Sequence, residues 1–263
     1  MNRKALFFDI DGTLLTDETK ELPESARKAL LKAQNAGHLI FINSGRARCL
    51  MQEVEAQVPA DGYLCGCGTY IEIGGKTVFH HLISAKRRME LQRGIIACGL
   101  DGILEGTSGC TIQKTDARMP EVERVRTLME RDGCFREADW ERELADFDKF
   151  CVLADEKSDA ARFLRMLSPD IAFIDRGGRL YECVPAGFDK AAAMQFVLEY
   201  FGIPWEESYA FGDSANDLAM IRYACHSVVM GEHSSVLEPH ASFVTKRVEE
   251  DGIAYAMECL NII

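Results

Sequence analysis

Asp9 and Asp11 flank Ile10 at the end of an apolar run, FFDIDGTLL (Phe7–Leu15), with Gly12 directly behind them. Asp and Gly are both poor strand formers, and a carboxylate at the end of a buried strand is costly unless it is paired or bound to a metal. Two acids so placed point to a cation, or else they cap a turn. A calcium loop of the EF-hand kind is excluded, because Gly12 falls too early in the loop and Lys20 stands where the closing glutamate belongs. Three other places put chemistry-bearing residues at a strand end or in the following turn. These are Ser44-Gly45-Arg46, Lys190, and GDSANDLAM with Asp213, Asn216 and Asp217. Cys65 and Cys67 with His80 and His81 suggest zinc, but the spacing is C-x-C and no second cysteine pair follows.

The elements that must position these residues alternate. KALFFDI is a continuous apolar run, as expected for a strand covered on both faces. PESARKALLKAQNAG reads as a helix opened by Pro23, with Ala26, Leu30 and Ala33 on one face and Gly37 as its stop. HLIFINS is a second strand, ARCLMQEVEAQV a second helix and GYLCGCG a third strand, followed by a hairpin about Gly74-Gly75. Near the C-terminus, FDKAAAMQFVLEYFG predicts a helix and SYAFGD a strand ending in Asp213. NDLAMIRYA, SVVMG, SSVLEPH, FVTK and DGIAYAMECL continue the alternation. The pattern predicts an α/β fold with a doubly wound parallel sheet, whose ligands bind beyond the carboxyl ends of its strands. The middle has another texture, with helical stretches (SAKRRMELQRGIIACG, MPEVERVRTLMERDG, SDAARFLRMLS) and short strands (KFCVLAD, IAFID, RLYECV). The expected organisation is therefore a core of residues 1–81 and 185–263 split by an α+β insertion, residues 82–184.

At 263 residues the chain has room for one large domain or two smaller ones. Its net charge of -12 disfavours non-specific nucleic-acid binding and attraction to anionic membranes, yet leaves room for a phosphorylated small molecule. No apolar run approaches the ~18 residues that span a bilayer. The N-terminal apolar stretch is too short for a secretory signal and is broken by Asp9 and Asp11. The expectation is a cytoplasmic protein whose ten cysteines are reduced thiols. Oligomeric state is left open.

DIDGTL, NSGR, the lysine of GFDK and GDSANDLAM occur in the order and spacing of the haloacid dehalogenase (HAD) superfamily. More narrowly, the chain resembles the Cof-type phosphatases, which carry a large α/β cap between their second and third motifs. The resemblance implies that Asp9 is a nucleophile, because an acyl phosphate hydrolyses readily. It implies that Asp11 is the general acid and base, and that Gly12 lets the backbone turn sharply beside the phosphate. Mg²⁺ would be held by Asp9, the main-chain carbonyl of Asp11 and Asp213. Asp217 would be an outer ligand, or merely an acid at a helix N-terminus. Ser44 with the N–H groups of Gly45 and Arg46 would hold phosphoryl oxygens, and the Arg46 side chain would face the leaving group or the cap. Lys190 would pair with the nucleophile and the phosphate, while Asn216 orients Lys190 or touches the phosphate.

The implied activity is Mg²⁺-dependent hydrolysis of a small phosphorylated metabolite, by default a sugar phosphate, through an aspartyl phosphate. A phosphomutase or phosphotransferase would use the same chemistry. A non-catalytic phospho-switch is a remote alternative, since the chain lacks the adjacent acids of receiver domains. Two positions depart from the family pattern. Cys67-Gly68 stands where many relatives have Asn-Gly, and Glu232 stands where they often have asparagine. In the insertion, Lys114, Arg118, Arg176, Arg179 and Glu182 are expected at the solvated surface, and His80, His81, His233 and His240 have no partner identifiable from sequence.

Overall fold

Ala5–Phe8 (β1) carries no polar residue and is buried throughout, as a strand covered on both faces must be. The computed structural model describes residues 2–113 and 119–263. After β1, Glu24–Asn35 (α1) buries Ala26, Ala29, Leu30 and Ala33 on one face, and Leu39–Asn43 (β2) follows. The helix expected over ARCLMQEVEAQV is interrupted. A 3₁₀ turn covers Arg48–Leu50, and the α-helix proper is Gln52–Gln57 (α2). Gly62–Cys65 (β3) then leads to Tyr70–Ile73 (β4) and Lys76–His80 (β5), with Gly74 and Gly75 both at positive φ between the last two, as a tight hairpin turn requires.

The chain divides into two compact units, Met1–Gly45, Gln52–Phe79 and Asp189–Ile263 forming one, and Arg46–Met51 with His80–Phe188 the other. The expected joints at residues 82 and 185 therefore shift to 79/80 and 188/189. The reason is packing: His80 Nε2 meets Asp148 Oδ1 of the second unit at 2.7 Å, and the rings of His81 and Phe188 lie 4.6 Å apart. Residues 46–51 also join the second unit, because Ala47 and Cys49 are buried with Ile103, Cys110, Ile112 and Val122.

The second unit runs through Ala85–Ala97 (α3), Asp101–Glu105 (β6), Cys110–Gln113 (β7), Pro120–Arg131 (α4), Phe135–Ala138 (β8) and Lys149–Leu153 (β9). Ala160–Leu167 (α5), Ile171–Asp175 (β10) and Leu180–Pro185 (β11) complete it. Its six-stranded sheet has the order β10-β11-β9-β6-β7-β8. The strands β6 and β7 escape a reading of the sequence because three glycines break up DGILEGTSGCTIQ; β8 escapes it too. Lys114 and Arg118 lie outside the described residues.

The chain returns with Lys190–Phe201 (α6), Ser208–Gly212 (β12), Leu218–Tyr223 (α7), His226–Val229 (β13), Phe243–Val244 (β14) and Gly252–Cys259 (α8). SSVLEPH yields only a 3₁₀ turn, Glu238–His240. These elements complete an eight-stranded sheet of order β14-β13-β12-β1-β2-β3-β4-β5. From β14 to β3 all neighbours are parallel, and β4 runs antiparallel to β3. Phe8 is in register with Phe211 on one side and Ile42 on the other. The residues just beyond these, Asp9, Gly212-Asp213 and Asn43-Ser44, therefore leave the middle of the sheet together. Among the described residues no helix is long and apolar enough to cross a membrane.

Candidate active site

Asp9 follows β1 and is held by its N–H, which donates to the Phe211 carbonyl at 3.0 Å. Its carboxylate is buried, and Lys190 Nζ lies 2.5 Å from Asp9 Oδ1 and 2.5 Å from Asp217 Oδ1. Lys190 is fixed at both ends. It opens α6, which Asp189 caps by accepting the Ala192 N–H at 2.7 Å, and its carbonyl accepts from Asn43 Nδ2 at 2.8 Å. Burial alone would lower the ammonium's pKa, but the charges of Asp217 and Asp9 outweigh it and raise it.

Asp217 has two duties. Its Oδ2 accepts the N–H groups of Asp213 at 3.0 Å and Ser214 at 2.9 Å, closing the turn, while Oδ1 holds Lys190. The orienting role that the sequence offered to Asn216 thus falls to its neighbour. Asn216 Oδ1 accepts from Ser214 Oγ at 2.5 Å. Asp213 accepts from Thr13 Oγ1 at 2.8 Å, a contact that sequence reasoning missed. Gly12 has φ +79°, and a Cβ there would lie 2.7 Å from Asp213 Oδ2. Glycine is needed at that position for room as well as for conformation.

Carboxylate oxygens of Asp9, Asp213 and Asp217 lie within 4.8 Å of one another. Among the described residues, three acids thus face one ammonium. Burial first, and then the neighbouring carboxylates, push Asp9 up to about 6 and Asp213 up to about 7. A donor set of clustered oxygens with surplus negative charge fits a hard divalent cation.

Asp11 turns outward: its side chain is 40% exposed and pairs with Lys20 Nζ at 3.1 Å. Ser44 is buried and pinned through its backbone, donating to Leu64 O at 2.9 Å and accepting from Cys67 N at 3.1 Å. Cys67 has φ +57°, a left-handed conformation in which asparagine is enriched, so the asparagine that the family resemblance leads one to expect there would suit the backbone. Gly45 ends the first segment of the first unit, and Arg46 falls in the second. A cleft of about 690 Å³ on the first unit borders Gly12, Asp213, Ser214, Glu232, His233 and Arg247. Glu232 is ion-paired with Arg247 there. His233 Nδ1 meets Met230 O at 2.7 Å, and His80 Nε2 meets Asp148 Oδ1 at 2.7 Å. In the second unit Arg176 and Arg179 are exposed. Glu182 is buried, contrary to expectation, between Lys149 at 2.8 Å and Arg176 at 3.3 Å.

The profile of the haloacid dehalogenase-like hydrolases matches residues 6–257. The chain belongs to this family. YkrA of Bacillus subtilis (strain 168), provisionally named a phosphatase, is 30% identical over the full length of both chains. The 5-amino-6-(5-phospho-D-ribitylamino)uracil phosphatase YwtE of the same organism is 25% identical over 98% of each. The solved structure of BT4131, a HAD subclass IIB sugar phosphatase, superposes with a TM-score of 0.84 at 26% identity, covering 99% of this chain and 100% of that one. This HAD hydrolase is a phosphatase of the Cof type.

Proposed function

We propose that this HAD phosphatase hydrolyses a small phosphorylated metabolite, with a sugar phosphate the first choice, through an aspartyl phosphate on Asp9 and with Mg²⁺ as cofactor. The observation that carries the reading is the surplus of clustered carboxylates about Lys190, Asp9 and Asp217 buried and Asp213 half-buried, beyond the carboxyl ends of β1 and β12. A sugar phosphatase and a phosphoribitylamino-uracil phosphatase among the similar proteins support the substrate class.

In the proposed reaction the Asp9 carboxylate attacks phosphorus and the bond to the leaving oxygen breaks, Asp11 giving that oxygen its proton. Water then attacks the phosphorus of the aspartyl phosphate. Asp11 takes the water's proton, the bond to Asp9 breaks, and inorganic phosphate leaves. Lys190 holds Asp9 in line and offers its charge to the phosphoryl group, while Ser44 and the N–H groups of Gly45 and Arg46 hold phosphoryl oxygens. Asp9, Asp213 and the Asp11 carbonyl would hold Mg²⁺, with Asp217 behind them, and the bound ion supplies charge neutralisation between nucleophile and phosphate.

The test is release of inorganic phosphate from 4-nitrophenyl phosphate and from a panel of sugar phosphates, with Mg²⁺ and with chelator. Chelation should abolish turnover, and Asp9→Asn should lower kcat by about 10³-fold or more. Wild-type turnover in Asp9→Asn would overturn the mechanism, and an isomeric phosphate in place of inorganic phosphate would make the enzyme a mutase.

A further inference from the structure

Lys20 is held in an unfavourable backbone conformation, and its side chain ends on Asp11. Its φ is +55°, in the left-handed region that a residue with a Cβ rarely adopts. Such an outlier persists only where its surroundings over-determine it. Here the Lys20 N–H donates to Thr16 O at 3.1 Å, and its carbonyl accepts from Gln57 Nε2 at 3.3 Å. Around it, Thr16 N–H donates to Glu21 O at 3.1 Å, and the Thr16 and Thr19 hydroxyls share a 2.7 Å hydrogen bond. Gln57 Oε1 also accepts the Leu22 N–H at 3.1 Å, fixing the exit of the turn. The result is a closed turn, clamped from α2, that aims the ammonium at Asp11 Oδ1 at 3.1 Å, with Asp17 Oδ1 at 3.4 Å.

A surface ion pair contributes little to stability, since both side chains are about half exposed and water screens them. A turn held in strain to make such a contact is poorly explained by stability. We propose that Lys20 is a positioning residue for Asp11, fixing the carboxyl group for proton transfer to the leaving oxygen. This inference rests on the acid role of Asp11 in the proposed reaction. Asp11 transfers its proton to the leaving oxygen and is left as a carboxylate beside the Lys20 ammonium. It regains a proton from the water that attacks the aspartyl phosphate. Lys20 gains and loses no proton and touches no reacting atom.

General acid catalysis matters most when the leaving group is poor, and kcat/KM reports the steps through cleavage of the ester bond. The experiment therefore compares phenyl phosphate, a poor leaving group, with 4-nitrophenyl phosphate, a good one of similar shape, in Mg²⁺. Lys20→Met should lower kcat/KM for phenyl phosphate about tenfold and for 4-nitrophenyl phosphate less than threefold. Lys20→Arg should recover the difference. Lys20→Gly removes the ammonium while suiting the left-handed backbone; it should keep or raise Tm and still show the selective loss. An equal fall on both esters, no fall, or a gain would overturn the role of Lys20. Asp11→Asn separates the two levels. If it also fails to discriminate between the esters, the acid role itself falls. If it discriminates and Lys20→Met does not, only the positioning role falls.

Discussion

Each of the two units buries a lysine between two carboxylates, and the two arrangements differ in what surrounds them. In the first, Lys190 sits between Asp9 and Asp217, and a third acid, Asp213, has no ion-pair partner of its own among the described residues. In the second, Lys149 sits 2.8 Å from Glu182 and 3.3 Å from Glu105, and Arg176 approaches Glu182 from the other side. Among the described residues, two acids there meet two bases. Burying charge is costly in either case, yet only the first cluster is left with a deficit that a cation can fill. The difference separates a place that needs a ligand from one that satisfies itself, a distinction that burial or charge count alone would miss.

Removing each lysine should expose the difference between the two clusters most directly. Lys149→Met leaves two glutamates without their buried partner and should cost about 3–5 kcal/mol in urea unfolding, with or without magnesium. Lys190→Met should be destabilised in chelator by a similar order, but magnesium should recover part of the loss, because a cation can take over some of the missing charge. Recovery of both variants, or of neither, would erase the distinction.

A smaller effect is expected from pH. Asp9 and Asp213 titrate near 6 and 7 in the fold, against an ordinary 3.8. Without metal the fold holds protons that the unfolded chain has already released, so their contribution to stability falls as pH rises from about 4 to 7. Magnesium competes with those protons. The rise in Tm on adding magnesium should therefore be larger at pH 8 than at pH 5.5, as differential scanning fluorimetry would show. A rise independent of pH would mean that these acids do not bind the ion. The smallest effect is expected from Thr13→Val, which removes one hydrogen bond to Asp213. It should weaken the magnesium activation constant about fivefold, on the order of 1 kcal/mol, and unchanged activation would remove Thr13 from the site.

Asp9, Lys190 and Asp213 can be read from the chain because each sits where a regular element stops or starts and a charge is out of place. Contacts that depend on register are hidden from such a reading. Lys149 looks like an ordinary solvated lysine until β6 and β9 pair Glu105 with it across the sheet. Thr13 reads as part of an apolar run, and nothing local shows that its hydroxyl reaches residue 213. Asp217 was legible as an acid near a helix start, but its hold on Lys190 crosses 27 positions of sequence. The allegiance of residues 46–51 was hidden because four apolar side chains, Ala47, Cys49, Leu50 and Met51, fit a helix as well as they fit a short turn. The α/β class and the parallel sheet came through because alternation is a property of long stretches, which single side chains do not disturb.

The central place of β1 has a consequence for biosynthesis. Its partner β12 and the lysine that faces Asp9 lie far downstream, Lys190 being 181 positions later. At ~5–20 residues per second of translation, the nascent chain carries Asp9 for roughly 9–36 s before Lys190 is made. Until then β1 has β2 on one side and an open edge on the other. The ribosome thus delivers the Asp9 carboxylate first and its buried counter-charge well after it, so the ion pair at the heart of the site cannot form until the chain has grown past Lys190.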